Sequence, residues 1–250
     1  MRAASDNEGD AARGIGVRDD QRAALAQAAV SSALASIFRG RLCDILLATR
    51  SPHTFERHAV IYDLGETGRN LFFIRHGVVK TGTITAAGRE IIYDVRTAGD
   101  VVGELCALDA SRRDRAVALE STAAIAIGFE EVVATLAGDS VLLATFITAL
   151  SGTLAHAYEQ LHRVALGDVT HNLVAVLKML ARKLGRPSGP LIEINAYLTQ
   201  EELAQMVVAR RERVSTALNA MRREGAVHYS AGGHLLLDLD ALDRHVAAGR

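Results

Sequence analysis

Residues 198–227 read LTQEELAQMVVARRERVSTALNAMRREGAV. Thr199 with Glu202 three residues on is a reciprocal helix start: the hydroxyl accepts from a backbone N–H and the carboxylate reaches back to the cap's own N–H. Leu203 and Met206 give this first helix an apolar side. The pattern breaks near Val208-Ala209 and resumes with Val214, Leu218 and Met221 at helical spacing. Two short helices around a tight turn predict a helix-turn-helix. After Gly225, AVHYSA and HLLLDL flank Gly232-Gly233, which predicts a two-stranded hairpin, or wing.

The second helix places Arg210, Arg211, Arg213, Ser215 and Thr216 on positions its core does not use, with Glu212 among the arginines. An arginine run on a helix is ordinarily a solvated, salt-bridged surface. Its position here points elsewhere, because a recognition helix enters the DNA major groove by its N-terminal turns. Arginine bonds guanine O6 and N7 bidentately, and glutamate accepts from cytosine N4. Thr199 and Gln200, at the N-terminus of the first helix, are placed to hold a phosphate.

Working back from this stretch, Gly185, Pro187, Gly189 and Pro190 end a helix that Asp168 caps and that runs through Leu184. Before the Gly167-Asp168 break, Leu143, Ile147, Leu150, Leu154, Ala157, Leu161 and Val164 alternate spacings of four and three. That is the 3.5-residue repeat of a coiled coil. Leu142 and Phe146 lie beside it, where they can cover another layer, so the repeat reads as a parallel dimer seam. From His58 to Gly128 the texture is β: HAVIYDL, LFFIR, VVKTGTI, REIIYDV and STAAIAIG, punctuated by glycines. Short strands with regular turn signals predict an antiparallel sandwich or barrel. Gln21 to Leu47 reads as helix, and residues 1 to about 20 as a disordered tail.

The chain has 250 residues, a formal net charge of -1 and two cysteines, Cys43 and Cys106. The charge excludes a uniformly basic polyanion binder, and the cysteine count excludes a disulfide framework or a cysteine-rich metal site. MRAASDNEGDAARG has no signal-peptide core, and no run of about 18 consecutive apolar residues appears. A cytoplasmic location without membrane association is therefore expected, and no metal.

Leu198 to Val227 resembles the helix-turn-helix of the cyclic-AMP receptor / fumarate-nitrate regulator (Crp/Fnr) family of bacterial transcription factors. LFFIRHGVVK, AAGREIIYDV and AGDVVGELCALDASRRDRAVALE resemble that family's effector domain, in the same order. The resemblance implies an α+β chain. An N-terminal antiparallel β-roll (jelly-roll-like, of the cyclic-nucleotide-binding-domain type) is followed by a long dimerisation helix and a C-terminal winged helix-turn-helix. The divisions expected are a tail over 1–20, the β-roll with its N-terminal helix over 21–138, the dimerisation helix and hinge over 139–167, and the DNA-binding domain over 168–250. Arg211 and Glu212 match the family's leading base-reading positions, and Ser215 a reading position in one branch. Thr216 stands where many members have a third arginine, Val208 where the turn residue is small and often glycine, and Arg213 where a threonine is usual.

Gly103-Glu104-Leu105 and Arg112-Arg113-Asp114-Arg115 resemble the family's phosphate-binding cassette. A cyclic nucleotide offers an anionic phosphodiester, which an arginine and backbone N–H groups meet, and a ribose hydroxyl, from which a glutamate accepts. Glu104 matches the ribose-binding glutamate and Arg113 the phosphate arginine. Asp114 replaces a Ser or Thr that donates to the phosphate. Three readings stay open: an empty pocket with Asp114 paired to Arg112 or Arg115, a larger anion such as a cyclic dinucleotide, or a weakly held cyclic mononucleotide. Ala157 and Tyr158 fall where members contact the base. The expected protein is a homodimeric transcription regulator on a near-palindromic double-stranded DNA operator, with RNA polymerase as a further partner. A ligand-binding module without DNA binding, or a cupin-type metalloenzyme on the same barrel, are the alternatives; the histidines show no HExxH or HxH pattern.

Overall fold

The computed structural model describes residue 47, residues 50–194 and residues 198–248. The expected tail and the helix expected over Gln21 to Leu47 lie outside the described residues, apart from Leu47 itself.

Among the described residues, eight strands form the N-terminal part: β1 His53–Phe55, β2 Val60–Tyr62, β3 Asn70–His76, β4 Val78–Ile84, β5 Glu90–Thr97, β6 Val101–Val102, β7 Arg115–Ala118 and β8 Thr122–Gly128. They make two antiparallel sheets, ordered β1-β8-β3-β6 and β2-β7-β4-β5. Tyr62, Ile74, Val79, Val102 and Ala116 form a buried cluster drawn from both sheets. Leu71, Phe73, Ile125 and Ile127 of the first sheet pack with Val132 and Leu136 of helix α1 (Phe129–Ala137), and Leu142 and Phe146 lean on the same cluster.

Helix α2 runs Ser140–Leu166, its first N–H groups capped by the Asp139 carboxylate. Leu143, Ile147, Leu150, Leu154, Leu161 and Val164 are all exposed along it. Among the described residues this is a helix long and apolar enough, by length and composition, to cross a membrane. A count of consecutive apolar residues misses that property because Thr145, Thr148, Ser151 and Thr153 interrupt the run. A helix lying wholly in lipid is apolar all round. Here His156, Glu159, Gln160, His162 and Arg163 occupy the last turns beside an apolar stripe. The helix stops at Gly167, where any Cβ would lie 2.6 Å from the Arg163 carbonyl and from the Asn172 side-chain oxygen.

Asp168 then caps α3 (Val169–Leu184), accepting from the Thr170 and His171 N–H groups. The Gly/Pro cluster does more than end this helix. It closes a hairpin of β9 (Gly185–Ser188) and β10 (Leu191–Ile194), which extends the wing strands β11 (Val227–Tyr229) and β12 (Leu235–Leu237) into one sheet, β11-β12-β10-β9. Between the two hairpins lie α4 (Gln200–Met206) and α5 (Arg211–Arg223). A last helix, α6 (Leu239–Ala248), goes beyond the sequence expectation; the Asp238 carboxylate accepts from Ala241 N–H at its start, and Leu242 is fully buried.

One core joins the two halves. Val78, Ile92, Val95 and Leu119 of the β-roll belong to the same buried cluster as Leu173, Leu177, Leu203 and Val207. Polar links cross the same boundary. Lys80 on β4 lies 3.1 Å from Glu90 and 3.6 Å from Glu202 on α4. Lys183 reaches the Asp94 carboxylate at 2.6 Å and the Val95 carbonyl at 2.9 Å. Arg89 donates to the Ala209 carbonyl at 2.9 Å. The helix-turn-helix is thereby seated on β4 and β5.

Candidate nucleic-acid interface and effector pocket

The capping box that opens α4 is complete: Glu202 N–H donates to Thr199 Oγ1 at 3.1 Å, and Thr199 N–H to Glu202 Oε2 at 2.9 Å. The other Glu202 oxygen faces Lys80, so one carboxylate both starts the helix and docks it. The turn follows at Val207–Arg210, with Val208 at φ 54°. A β-branched residue in the left-handed region is strained, at a cost of about 1–3 kcal/mol. The turn is held by Ala209 N–H to the Ala204 carbonyl, 3.0 Å, and from outside by Arg89.

In α5, Val214, Ala217, Leu218 and Met221 are buried. That fixes the helix's rotation, and it leaves Arg210, Arg211, Glu212 and Arg213 exposed at its N-terminal end. Ser215 is half-buried. Thr216 is exposed, with its hydroxyl donating to the Glu212 carbonyl at 2.9 Å. Thr199 is exposed and Gln200 half-buried at the start of α4. A groove continues from α5 to the wing, lined by Thr216, Asn219, Arg222, Arg223, His228 and Tyr229. Arg222 sits 5.2 Å over the Tyr229 ring. Apart from Thr216, the sequence expectation does not include these residues, although Asn219, Arg222 and Arg223 continue the exposed face at helical spacing.

In the β-roll, Gly103 sits at φ 92°, and a Cβ there would lie 2.8 Å from Arg112 Nη1. Arg112 is buried and donates to the Gly103 carbonyl at 3.1 Å and the Asn70 carbonyl at 2.7 Å; its guanidinium stacks 4.3 Å over the Tyr62 ring. Arg113 points outward and pairs with Asp109 at 2.5 Å. Asp114 is buried and accepts from the Tyr62 hydroxyl at 3.0 Å, while its Oδ1 has no hydrogen-bond partner among the described residues. Burial lifts this carboxyl to about 6, against the pull of the Tyr62 bond and with a further push from Glu104. Arg115 pairs with Asp63 at 3.2 Å. Glu104 accepts from Arg96 at 3.2 Å, and Arg96 also lies 3.3 Å from Asp94. Burial would raise the Asp94 carboxyl, but Lys183 and Arg96 outweigh it and hold it below the usual range.

A cavity of about 500 Å³ lies where β5, α2, α3 and the helix-turn-helix meet. Its walls include Ile91, Ile92, Glu104, Leu105, His156 and Ala157, and the turn residues Met206, Val207 and Val208 close one side.

The cyclic nucleotide-binding domain model matches residues 52–139, and the Crp-like helix-turn-helix domain model residues 173–245. The chain belongs to the Crp/Fnr family. It is similar to the CRP-like cAMP-activated global transcriptional regulator of Mycobacterium tuberculosis, 27% identical over 216 residues, covering 85% of this chain and 96% of that one. It is similar to the anaerobic regulatory protein of Bacillus subtilis, 24% identical over 198 residues, covering 78% and 83%. The crystal structure of a CRP-family transcriptional regulator from Thermus thermophilus superposes at a TM-score of 0.66 with 25% identity, covering 78% of this chain and 96% of that one.

The cassette residues do not converge on this cavity. Of the residues singled out from the cassette, only Glu104 and Leu105 line the cavity. Arg113, matched to the phosphate arginine, faces solvent, because the residues leading into β7 alternate: Arg112 and Asp114 are buried, Arg113 exposed and Arg115 half-exposed. Asp114 hydrogen-bonds to Tyr62 rather than to Arg112 or Arg115. Tyr158 is 63% exposed and outside the cavity, whereas its neighbour Ala157 is on the wall. Residues absent from the sequence expectation complete the site: Asp94, Arg96 and His156. The signal for the first two is a charged pair inside the apolar strand IIYDVRT, where burial demands partners.

Proposed function

We propose that this protein is a homodimeric, sequence-specific DNA-binding transcription regulator whose grip on DNA is set by a small effector at the β-roll. The observation that carries the reading is the exposed row Arg210–Arg213, with Glu212, at the N-terminal end of α5, on a helix whose rotation the buried Val214 and Leu218 fix. That end of a recognition helix is the part that meets base edges. Arg211 and Glu212 are the base readers; Arg210, Arg213, Ser215 and Thr216 flank them; Thr199 and Gln200 hold a phosphate.

The exposed stripe Leu143, Ile147, Leu150, Leu154, Ala157, Leu161 and Val164 supports a parallel seam with a second copy. A two-fold dimer reads a near-palindromic operator with half-sites about 34–36 Å apart. RNA polymerase is the further partner and the cytoplasm the place of action. The chain carries out no reaction of its own. Effector control is population shift: a ligand that binds two orientations of the helix-turn-helix unequally shifts the balance between them. A cyclic nucleotide or cyclic dinucleotide in the cassette requires Arg113 to leave Asp109 and Glu104 to leave Arg96.

The test is a gel shift of the dimer against genomic fragments over a range of salt. A few fragments should be retained over random competitor, with affinity falling steeply as salt rises. Uniform, weak retention of every fragment contradicts sequence-specific binding.

A further inference from the structure

The chemistry of the cavity at the domain junction differs from that of a phosphate site. Apolar side chains dominate its walls: Ile91, Ile92, Leu105, Val176, Met206 and Val207. Each charge there already has a partner. Glu104 is held by Arg96, Asp94 by Arg96 and Lys183, and Arg163 lies 3.9 Å from Glu159. A phosphate drawn to Arg96 or Lys183 would have to take that cation away from the buried Asp94, which leaves the carboxylate uncompensated; Arg163 differs, since its partner Glu159 is exposed. Two buried nitrogens on the wall make no hydrogen bond among the described residues, and of these Arg96 Nε still lies 3.3 Å from the Asp94 carboxylate. His156 Nε2 is buried and has no hydrogen-bond partner among the described residues. Burial lowers the imidazole's pKa, so the ring is neutral at pH 7. A neutral imidazole nitrogen either donates or accepts according to tautomer, and a hydroxyl satisfies both cases.

We propose that this cavity is the effector site and that its ligand is an uncharged, largely apolar organic molecule carrying one hydroxyl for His156. The inference rests on the effector-controlled, dimeric reading above and names the ligand class. The volume, about 500 Å³, lies within the range of small-molecule sites. Two further features make it a regulatory position. Met206, Val207 and the strained Val208 form one wall, so occupancy bears directly on the turn that orients α5. Ala157, Leu161 and Val164 belong both to the wall and to the proposed seam, so in the dimer proposed above the second copy's α2 would lie against this side of the cavity.

The test uses the full-length dimer with 2-naphthol, naphthalene and cyclic AMP as probes, followed by fluorescence titration and calorimetry. The wild type should take one 2-naphthol per protomer, about fivefold more tightly than naphthalene, the ratio one net hydrogen bond gives. His156→Phe should keep naphthalene and erase the preference. Val176→Trp fills the cavity and should abolish both; Val176→Phe, a smaller fill, should weaken both if the tryptophan variant fails to fold. Cyclic AMP should not displace 2-naphthol. Saturating 2-naphthol should change operator affinity, and operator should change 2-naphthol affinity by the same factor. Equal binding of naphthalene and 2-naphthol, undiminished binding to both Val176 variants, displacement by cyclic AMP, or binding with no effect on operator affinity each overturns the proposal. Failure to bind any operator would sink the DNA-binding reading instead, and the naphthol preference and its loss in His156→Phe would still decide the cavity's chemistry.

Discussion

Lys80 is the residue whose loss should do most to part the two halves of the molecule. Its side chain is 11% exposed, and it sits between two carboxylates, Glu90 at 3.1 Å and Glu202 at 3.6 Å, themselves 21% and 10% exposed. At an effective dielectric near 20, each pair is worth about 5 kcal/mol of gross attraction, most of which offsets the cost of taking the charges out of water. Lys80→Met keeps the packing volume and removes the cation, leaving the buried Glu202 and the partly buried Glu90 without their shared partner. Breaking one partner out of such a group costs about 3–5 kcal/mol. Glu202 keeps its bonds from Thr199, so the lower end, about 3 kcal/mol, is expected. At an m-value near 3 kcal/mol/M, the urea midpoint should fall by about 1 M at fixed protein concentration. Glu202→Gln preserves the capping pattern and leaves Lys80 with Glu90, so alone it should cost about 1 kcal/mol or less. The double variant should recover about 1–3 kcal/mol relative to the sum of the singles. A Lys80→Met stability within about 0.5 kcal/mol of wild type, or strict additivity with Glu202→Gln, would refute the link through Lys80.

Leu154→Glu places like charges face to face in the seam; the variant should sediment as a monomer and lose operator binding, and a surviving dimer would put the interface elsewhere. Arg211→Ala should lose roughly 1–3 kcal/mol of discrimination at one G·C pair, whereas an equal loss on random DNA would make Arg211 a phosphate contact. Thr199→Ala should cost about 1 kcal/mol of stability through the cap and weaken binding to all sequences alike, as read by thermal unfolding and anisotropy. Burial lifts the Asp114 carboxyl to about 6, above its usual value near 3.9, so the folded state holds that proton more tightly than the unfolded chain. Its contribution is fully present below about pH 4 and is lost as pH rises through about 6. Asp114→Asn keeps an acceptor for Tyr62; it should flatten the stability profile between those values and be more stable at pH 7 by about 2–3 kcal/mol. An unchanged profile would mean that Asp114 ionises freely.

The local signals in the sequence were the strong ones. Thr199 and Glu202 are three residues apart, and their reciprocal bonds need no distant partner. The four-three spacing of Leu143 to Val164 likewise shows in one helix. What the sequence hid was long-range or directional. Lys80 and Glu202 meet across the whole domain junction, and nothing in VVKTGTI says which carboxylate arrives. The resemblance ranked Arg113 by its place in the cassette, but side-chain direction depends on alternation through Arg112–Arg115, which turns Arg112 and Asp114 inward. Gly185, Pro187, Gly189 and Pro190 were legible as breakers and not as a hairpin, because β9 pairs only once Leu191–Ile194 folds back on it. The last helix starts at Leu239, and the capping role of Asp238 is masked by the apolar run Leu235–Leu237 before it.

Selection of bound sequences from random DNA by the full-length protein, read by sequencing, shows whether two copies of α5 read bases as a symmetric pair. A two-fold symmetric consensus is expected, with half-site centres one helical turn, about 34–36 Å, apart, and a G·C pair in each half that Arg211→Ala no longer selects. No enrichment, or a single asymmetric half-site unaffected by Arg211→Ala, would contradict it.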